Sequence, residues 1–120
     1  MTSKCEATVR TVGNLSVVSL SGEVDGSAAH VLSAAYEQAA ADGPPAVLLD
    51  FAAVDYINST GIALIVSVLA KARSEGRRVV ASGLSDHYRL IFDITRLSDF
   101  IQLYADVDSA ASGINEGAPA

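Results

Sequence analysis

Cysteine is almost missing from this 120-residue chain. Cys5 stands alone, so neither an internal disulfide nor a cysteine-rich metal site can be assembled. Runs of lysine or arginine are missing as well. With 8 basic against 14 acidic residues and a formal net charge of −6, no positive stripe exists to neutralise phosphates, which excludes direct nucleic-acid binding as the main task. The longest apolar stretch, Ile62 to Ala72, is interrupted by Ser67 and Lys71, too short and too broken to cross a bilayer. The opening MTSKCEATVR lacks the apolar segment of a signal peptide. A cytoplasmic protein with no membrane partner is expected.

Catalytic signatures are absent too. There is no G-x-x-x-x-G-K-[ST] loop for a nucleotide phosphate, and Ser59 lacks the G-x-S-x-G frame of a nucleophile elbow. His30 and His87 are the only imidazoles; neither has an orienting partner in sequence, and both read as surface residues on helices. The aspartates are scattered rather than clustered as metal ligands. No enzyme, no metal and no cofactor are expected, and an enzyme acting on a small ligand is the weakest of the functional readings.

What remains is a chain with half its residues hydrophobic, enough for one ordinary domain. Ala7 to Thr11 and Leu15 to Ser21 read as strands joined at Gly13-Asn14, residues suited to the positive φ of a tight hairpin. Val31, Leu32, Ala35, Tyr36 and Ala39 recur at helical steps within Ser27 to Ala41, a helix stopped by Gly43-Pro44-Pro45. Ala46 to Phe51 is a continuous apolar run, the mark of a strand buried on both faces. A helix from Ser59 to about Glu75, a strand in RRVVASG, a short helix in SDHYRLIFDIT and a strand in FIQLY follow, with a further weak helix over 106–112. In the third helix Tyr88, Leu90, Ile91 and Ile94 are expected to face the core, leaving Arg89, Asp93 and Arg96 outward. The prediction is a single α/β domain over 1–112, with a mixed sheet of four to five strands: an opening hairpin, then a parallel core, packed with about four helices. Residues 113–120 are expected to form a disordered tail. The oligomeric expectation is a monomer or a weak dimer through the first strand's edge.

The polar knot Asn58-Ser59-Thr60-Gly61 lies between the buried strand and the long apolar helix. Ser, Thr and Asn are helix-capping residues, and Gly61 permits a close approach, so Ser59 reads first as a cap. The knot also follows the C-terminal end of a central strand, where α/β sheets expose their sites. A phosphate there would add about −1.5 to −2 charges. The helix N-terminus tolerates that charge within the domain, whereas a partner packed against the knot meets it together with Asp25 and Asp55.

Three stretches then carry a resemblance: LSGEVD (Leu20 to Asp25), VLLDFAAVDYINSTGIALIV (Val47 to Val66) and GLSDHYRLIFDITRL (Gly83 to Leu97). From about Val9 to Ala111 the chain resembles STAS domains, and among them the bacterial anti-sigma factor antagonists. The resemblance implies that Ser59 is a phosphoacceptor, with Thr60 as the alternative. It also implies a partner-binding surface of Asp25, Asn58, Ser59, Thr60 and Gly61; Ser27 and His30, by their position just after Asp25, are placed near its rim. The implied partners are an anti-sigma factor with serine kinase activity, bound only by the unphosphorylated form, and a serine phosphatase that resets the switch. The implied setting is transcriptional control of a stress response. One position departs from the pattern: the family commonly has Asp before the acceptor, and here it is Asn58. The competing reading is a constitutive STAS scaffold or adaptor in a signalling or lipid-transport complex, which predicts that Ser59→Asp leaves partner binding unchanged.

Overall fold

The computed structural model describes residues 4–116, with the side chains of 115 and 116 outside the description. Five strands lie in the order β1-β2-β3-β4-β5: β1 (Glu6–Val12), β2 (Leu15–Val24), β3 (Ala46–Ile57), β4 (Arg78–Ser82) and β5 (Gln102–Tyr104). The hairpin β1–β2 is antiparallel and every other pairing is parallel. Gly13 turns the hairpin at φ 62°, a left-handed conformation glycine adopts without a Cβ penalty. Helices α1 (Ala29–Ala40), α2 (Ser59–Ser74), α3 (Asp86–Ile94) and α4 (Val107–Glu116) complete the domain, which is the expected mixed α/β architecture.

Strand alternation explains the layering. Val18 and Leu20 of β2, Val47, Leu49 and Phe51 of β3, and Val79 and Ala81 of β4 enter one core with α1, α2 and α3. Leu15, Val17, Ala46, Leu48 and Val80 enter a second core against Ala110, Ala111 and Ile114 of α4. The apolar run at the start of β3 is therefore buried on both faces, as its composition requires. Leu32, Ala35, Tyr36 and Ala39 form the buried stripe of α1. At the C-terminal ends of α1 and α2, the Tyr36 hydroxyl donates to Glu75 Oε1 at 2.7 Å and accepts from Arg77 Nη1 at 3.0 Å. Arg77 Nε also donates to the Pro44 carbonyl at 2.9 Å, so that end of α2 is anchored.

Three expectations need correction. β3 continues to Ile57 rather than ending at Phe51, because β2 runs on beside it until Val24 pairs with Ile57. The α3 stripe is Tyr88, Ile91 and Phe92. At 100° per residue, Leu90 falls on the side opposite Tyr88, and Ile94 lies one turn beyond it. Leu90 and Ile94 are accordingly 56% and 70% exposed, while Phe92 is fully buried. Finally, α4 runs to Glu116 rather than ending near residue 112, because Ile114 recurs one turn after Ala110 and Ala111 on the buried face. Residues 117–120 lie outside the described residues.

Candidate functional site

The corner between β3 and α2 is built by backbone contacts that leave little freedom. The Asn58 amide donates to the Val24 carbonyl at 3.2 Å, continuing the β2–β3 association for one residue beyond the ladder. The chain then turns into α2, and Asn58 is its N-cap: its Oδ1 accepts from the Gly61 amide at 2.8 Å. Ser59, expected to be the cap itself, is instead the first helical residue. Of three successive residues able to cap, Asn58 takes the role because it is the one held in extended conformation beside Val24. Asn58→Ala is expected to destabilise the domain by about 1 kcal/mol in urea unfolding, and Asn58→Asp, which caps equally well, by much less.

The consequence for Ser59 is chemical availability. Its side chain is exposed, and among the described residues nothing hydrogen-bonds its hydroxyl. The amides of the helix's first turn lie beside it, and those of Ser59 and Thr60 have no intrahelical acceptor. Thr60 is exposed as well, but its methyl lies near Gly26, so that a Cβ added there would sit 3.4 Å from Thr60 Cγ2. Gly61 is buried and tight: a Cβ at this position would overlap the Val24 carbonyl and stand 3.2 Å from Ile57 Cγ2. Only glycine lets α2 start this close to β2.

Asp25 reaches the same corner from the end of β2. It caps the 3-10 turn Gly26–Ala28, accepting from the Ser27 amide at 2.9 Å and from the Ser27 hydroxyl at 2.6 Å. Those two hydrogen bonds, the hydroxyl's first, hold the Asp25 carboxyl below its ordinary value of 3.8. The sign follows from linkage. A depressed folded-state pKa contributes stability above the ordinary carboxylate value, and that contribution is lost as pH falls through the lower folded value. Asp25 is therefore charged throughout the neutral range. Carboxyl NMR should find its midpoint under 3.8, and Ser27→Ala should move it back up.

The structure thus gathers Asp25, Asn58, Ser59, Thr60 and Gly61 at one pole of the sheet. Ser27 is bound to Asp25, and His30 is exposed in the first turn of α1. Asp55, near the end of β3, is exposed. His87 is also exposed, its ring edge-on to Tyr88 at 4.9 Å between centroids. Tyr88 lies on the core side of α3 as expected, but it also has a role at the corner that its position in the sequence does not reveal. Its hydroxyl accepts from the Ile57 amide at 2.9 Å, tying α3 to the corner. Its helical spacing from Phe92 signals burial, but nothing in the sequence signals which amide the phenol meets. Among the described residues no group of three metal-ligating side chains occurs, and no helix is long and apolar enough to cross a membrane. A groove of about 760 Å³ between α2 and the segment Leu97 to Gln102 includes none of the corner residues.

The sequence and the fold agree with one family. The family model described as Mlab, STAS domain, matches residues 7–104, and the chain belongs to the STAS domain family. It is 30% identical over 96 residues to the anti-sigma-B factor antagonist of Listeria monocytogenes, covering 80% of this chain and 83% of that protein. It is 28% identical over 111 residues to the anti-sigma-F factor antagonist RsfB of Mycobacterium tuberculosis, covering 92% and 89%. A crystal structure of an anti-sigma factor antagonist from Mycobacterium paratuberculosis superposes with a TM-score of 0.75 at 31% identity, covering 93% of this chain and 95% of that one.

Proposed function

We propose that this protein is an anti-sigma factor antagonist switched at Ser59. It catalyses no reaction of its own and acts by binding. In the unphosphorylated state the surface formed by Asp25 and Asn58 to Gly61 engages an anti-sigma factor that is also a serine kinase, and the sigma factor is released. Transfer of a phosphoryl group to the Ser59 hydroxyl ends that association, and a serine phosphatase restores it. Transcription is thereby regulated indirectly, in the cytoplasm.

The observation that carries the reading is the division of labour at the corner. Asn58 caps α2, so Ser59 is exposed with an unengaged hydroxyl. Its modification would break no hydrogen bond among the described residues. The names of the relatives supply the partner class. Replacement of the family's usual Asp by Asn58 fits the same geometry, since either side chain accepts the Gly61 amide. Asn58 also removes one negative charge next to the incoming phosphate.

Phosphopeptide mapping after incubation with the anti-sigma kinase tests the reading. A single phosphate on Ser59 is expected, and a Ser59→Ala protein should take none. Phosphate on Thr60, or none on either residue, contradicts it.

A further inference from the structure

We infer that Tyr88 is a positioning residue for the Ser59 corner, and that through it the corner depends on where α3 sits. The inference deepens the Ser59 reading, but its geometric half stands without it.

The reason lies in unequal strand lengths. β4 ends at Ser82, opposite Asp50, so from Phe51 to Ile57 the longer β3 has β2 on one side and no strand on the other. Tyr88 reaches into that gap and accepts the Ile57 amide at 2.9 Å. The next amide, Asn58, points to the opposite side and is held by Val24 at 3.2 Å. Two consecutive amides leading into Ser59 are thus pinned from both sides, one by the sheet and one by a phenol.

α3 is a lightly held support. It has nine residues, too few for a helix to persist without tertiary contacts. Phe92 is its one fully buried side chain, meeting Phe51 edge-on at 6.3 Å between ring centroids. Leu90 and Ile94 face outward. A shift of α3 withdraws the acceptor from the buried Ile57 amide, and an unpaired buried donor is costly. Asn58 and Ser59 are the next two residues along the chain. Tyr88 does not touch Ser59; it acts through Ile57.

Tyr88→Phe keeps the packed ring and deletes only the acceptor. Amide hydrogen exchange read by NMR should show Ile57 exchanging about tenfold faster, the change expected for one lost hydrogen bond. The Gly61 amide should quicken several-fold, while the Val47 to Leu49 amides stay as in the wild type. Affinity for the anti-sigma kinase should fall about fivefold, with KM for Ser59 phosphorylation raised and kcat kept, a split that a general loss of stability would not produce. Unchanged exchange at Ile57 and Gly61 overturns the inference. So does faster exchange with unaltered affinity and KM. If the wild type binds no anti-sigma factor and accepts no phosphate, the Ser59 reading falls, and exchange across Ile57 to Gly61 still decides whether Tyr88 positions the corner.

Discussion

Ser59→Asp is expected to lower affinity for the anti-sigma factor roughly a thousandfold, about 4 kcal/mol, while the domain remains folded. The two halves of this result have separate causes. Within the domain a carboxylate at the first helical position meets the positive end of the α2 dipole, which leaves stability unchanged or raises it by about 0.3 to 1 kcal/mol. No hydrogen bond among the described residues is sacrificed, because the wild-type hydroxyl makes none there. Across an interface the balance reverses. The new charge must be stripped of water against a partner that was fitted to a hydroxyl, on a rim that already carries Asp25, held ionised by Ser27. Ser59→Ala, small and uncharged, should bind nearly as the wild type does. Urea unfolding and isothermal titration with the anti-sigma factor measure the two halves separately. A Ser59→Asp protein that binds as tightly as Ser59→Ala would contradict the switch.

Gly61→Ala carries the second large effect, this time on the fold. Helix propensity alone favours the substitution by about 1 kcal/mol, since alanine is the better helix former. Sterics outweigh it. The added methyl would overlap a main-chain carbonyl, that of Val24, rather than the tip of a flexible side chain. That carbonyl is fixed in the sheet and accepts the Asn58 amide. Relief requires α2 to back away from β2, which breaks the Val24–Asn58 bond and disturbs the Asn58 cap on the Gly61 amide. A net loss of about 3 kcal/mol is expected, read as a lower urea midpoint at unchanged slope. Retention of wild-type stability would mean that the helix start is looser than the contact with Val24 implies.

The parts of the fold visible in the sequence are those where one local rule decides. The hairpin at Gly13, the stripe of α1 and the two-sided apolar run Ala46 to Leu49 each follow from turn chemistry or from a single period. Other features depend on a partner distant in sequence. β3 extends to Ile57 only because β2 is long enough to accompany it. The cap is Asn58 rather than Ser59 because Val24 fixes where the chain turns, while Asn, Ser and Thr in succession read alike from the sequence. In α3 the apolar residues occur on both faces, so composition cannot choose between Phe92 inside and Leu90 and Ile94 outside without the angular count. The last turn of α4 is polar enough to read as a tail until Ile114 joins Ala110 and Ala111 on the uncovered face of the sheet. That Asp25 lies near Asn58 to Gly61 is an expectation drawn from the family resemblance, whereas the support given by Tyr88 is not foreseen, since a hydrogen bond between residues 57 and 88 leaves no local trace.

The state of Ser59 is proposed to decide whether an anti-sigma factor is bound. The most direct test is capture from host lysate with wild type, Ser59→Ala and Ser59→Asp as baits, the intact mass of each bait being read in parallel. Ser59→Ala is expected to retain a partner identified by mass spectrometry as an anti-sigma factor with a serine kinase domain, and Ser59→Asp to lose it. Wild type alone should carry an adduct of about 80 Da, the mass of one phosphoryl group. If all three baits retain the same partner and none carries the adduct, Ser59 is not a switch, and the domain is a constitutive scaffold.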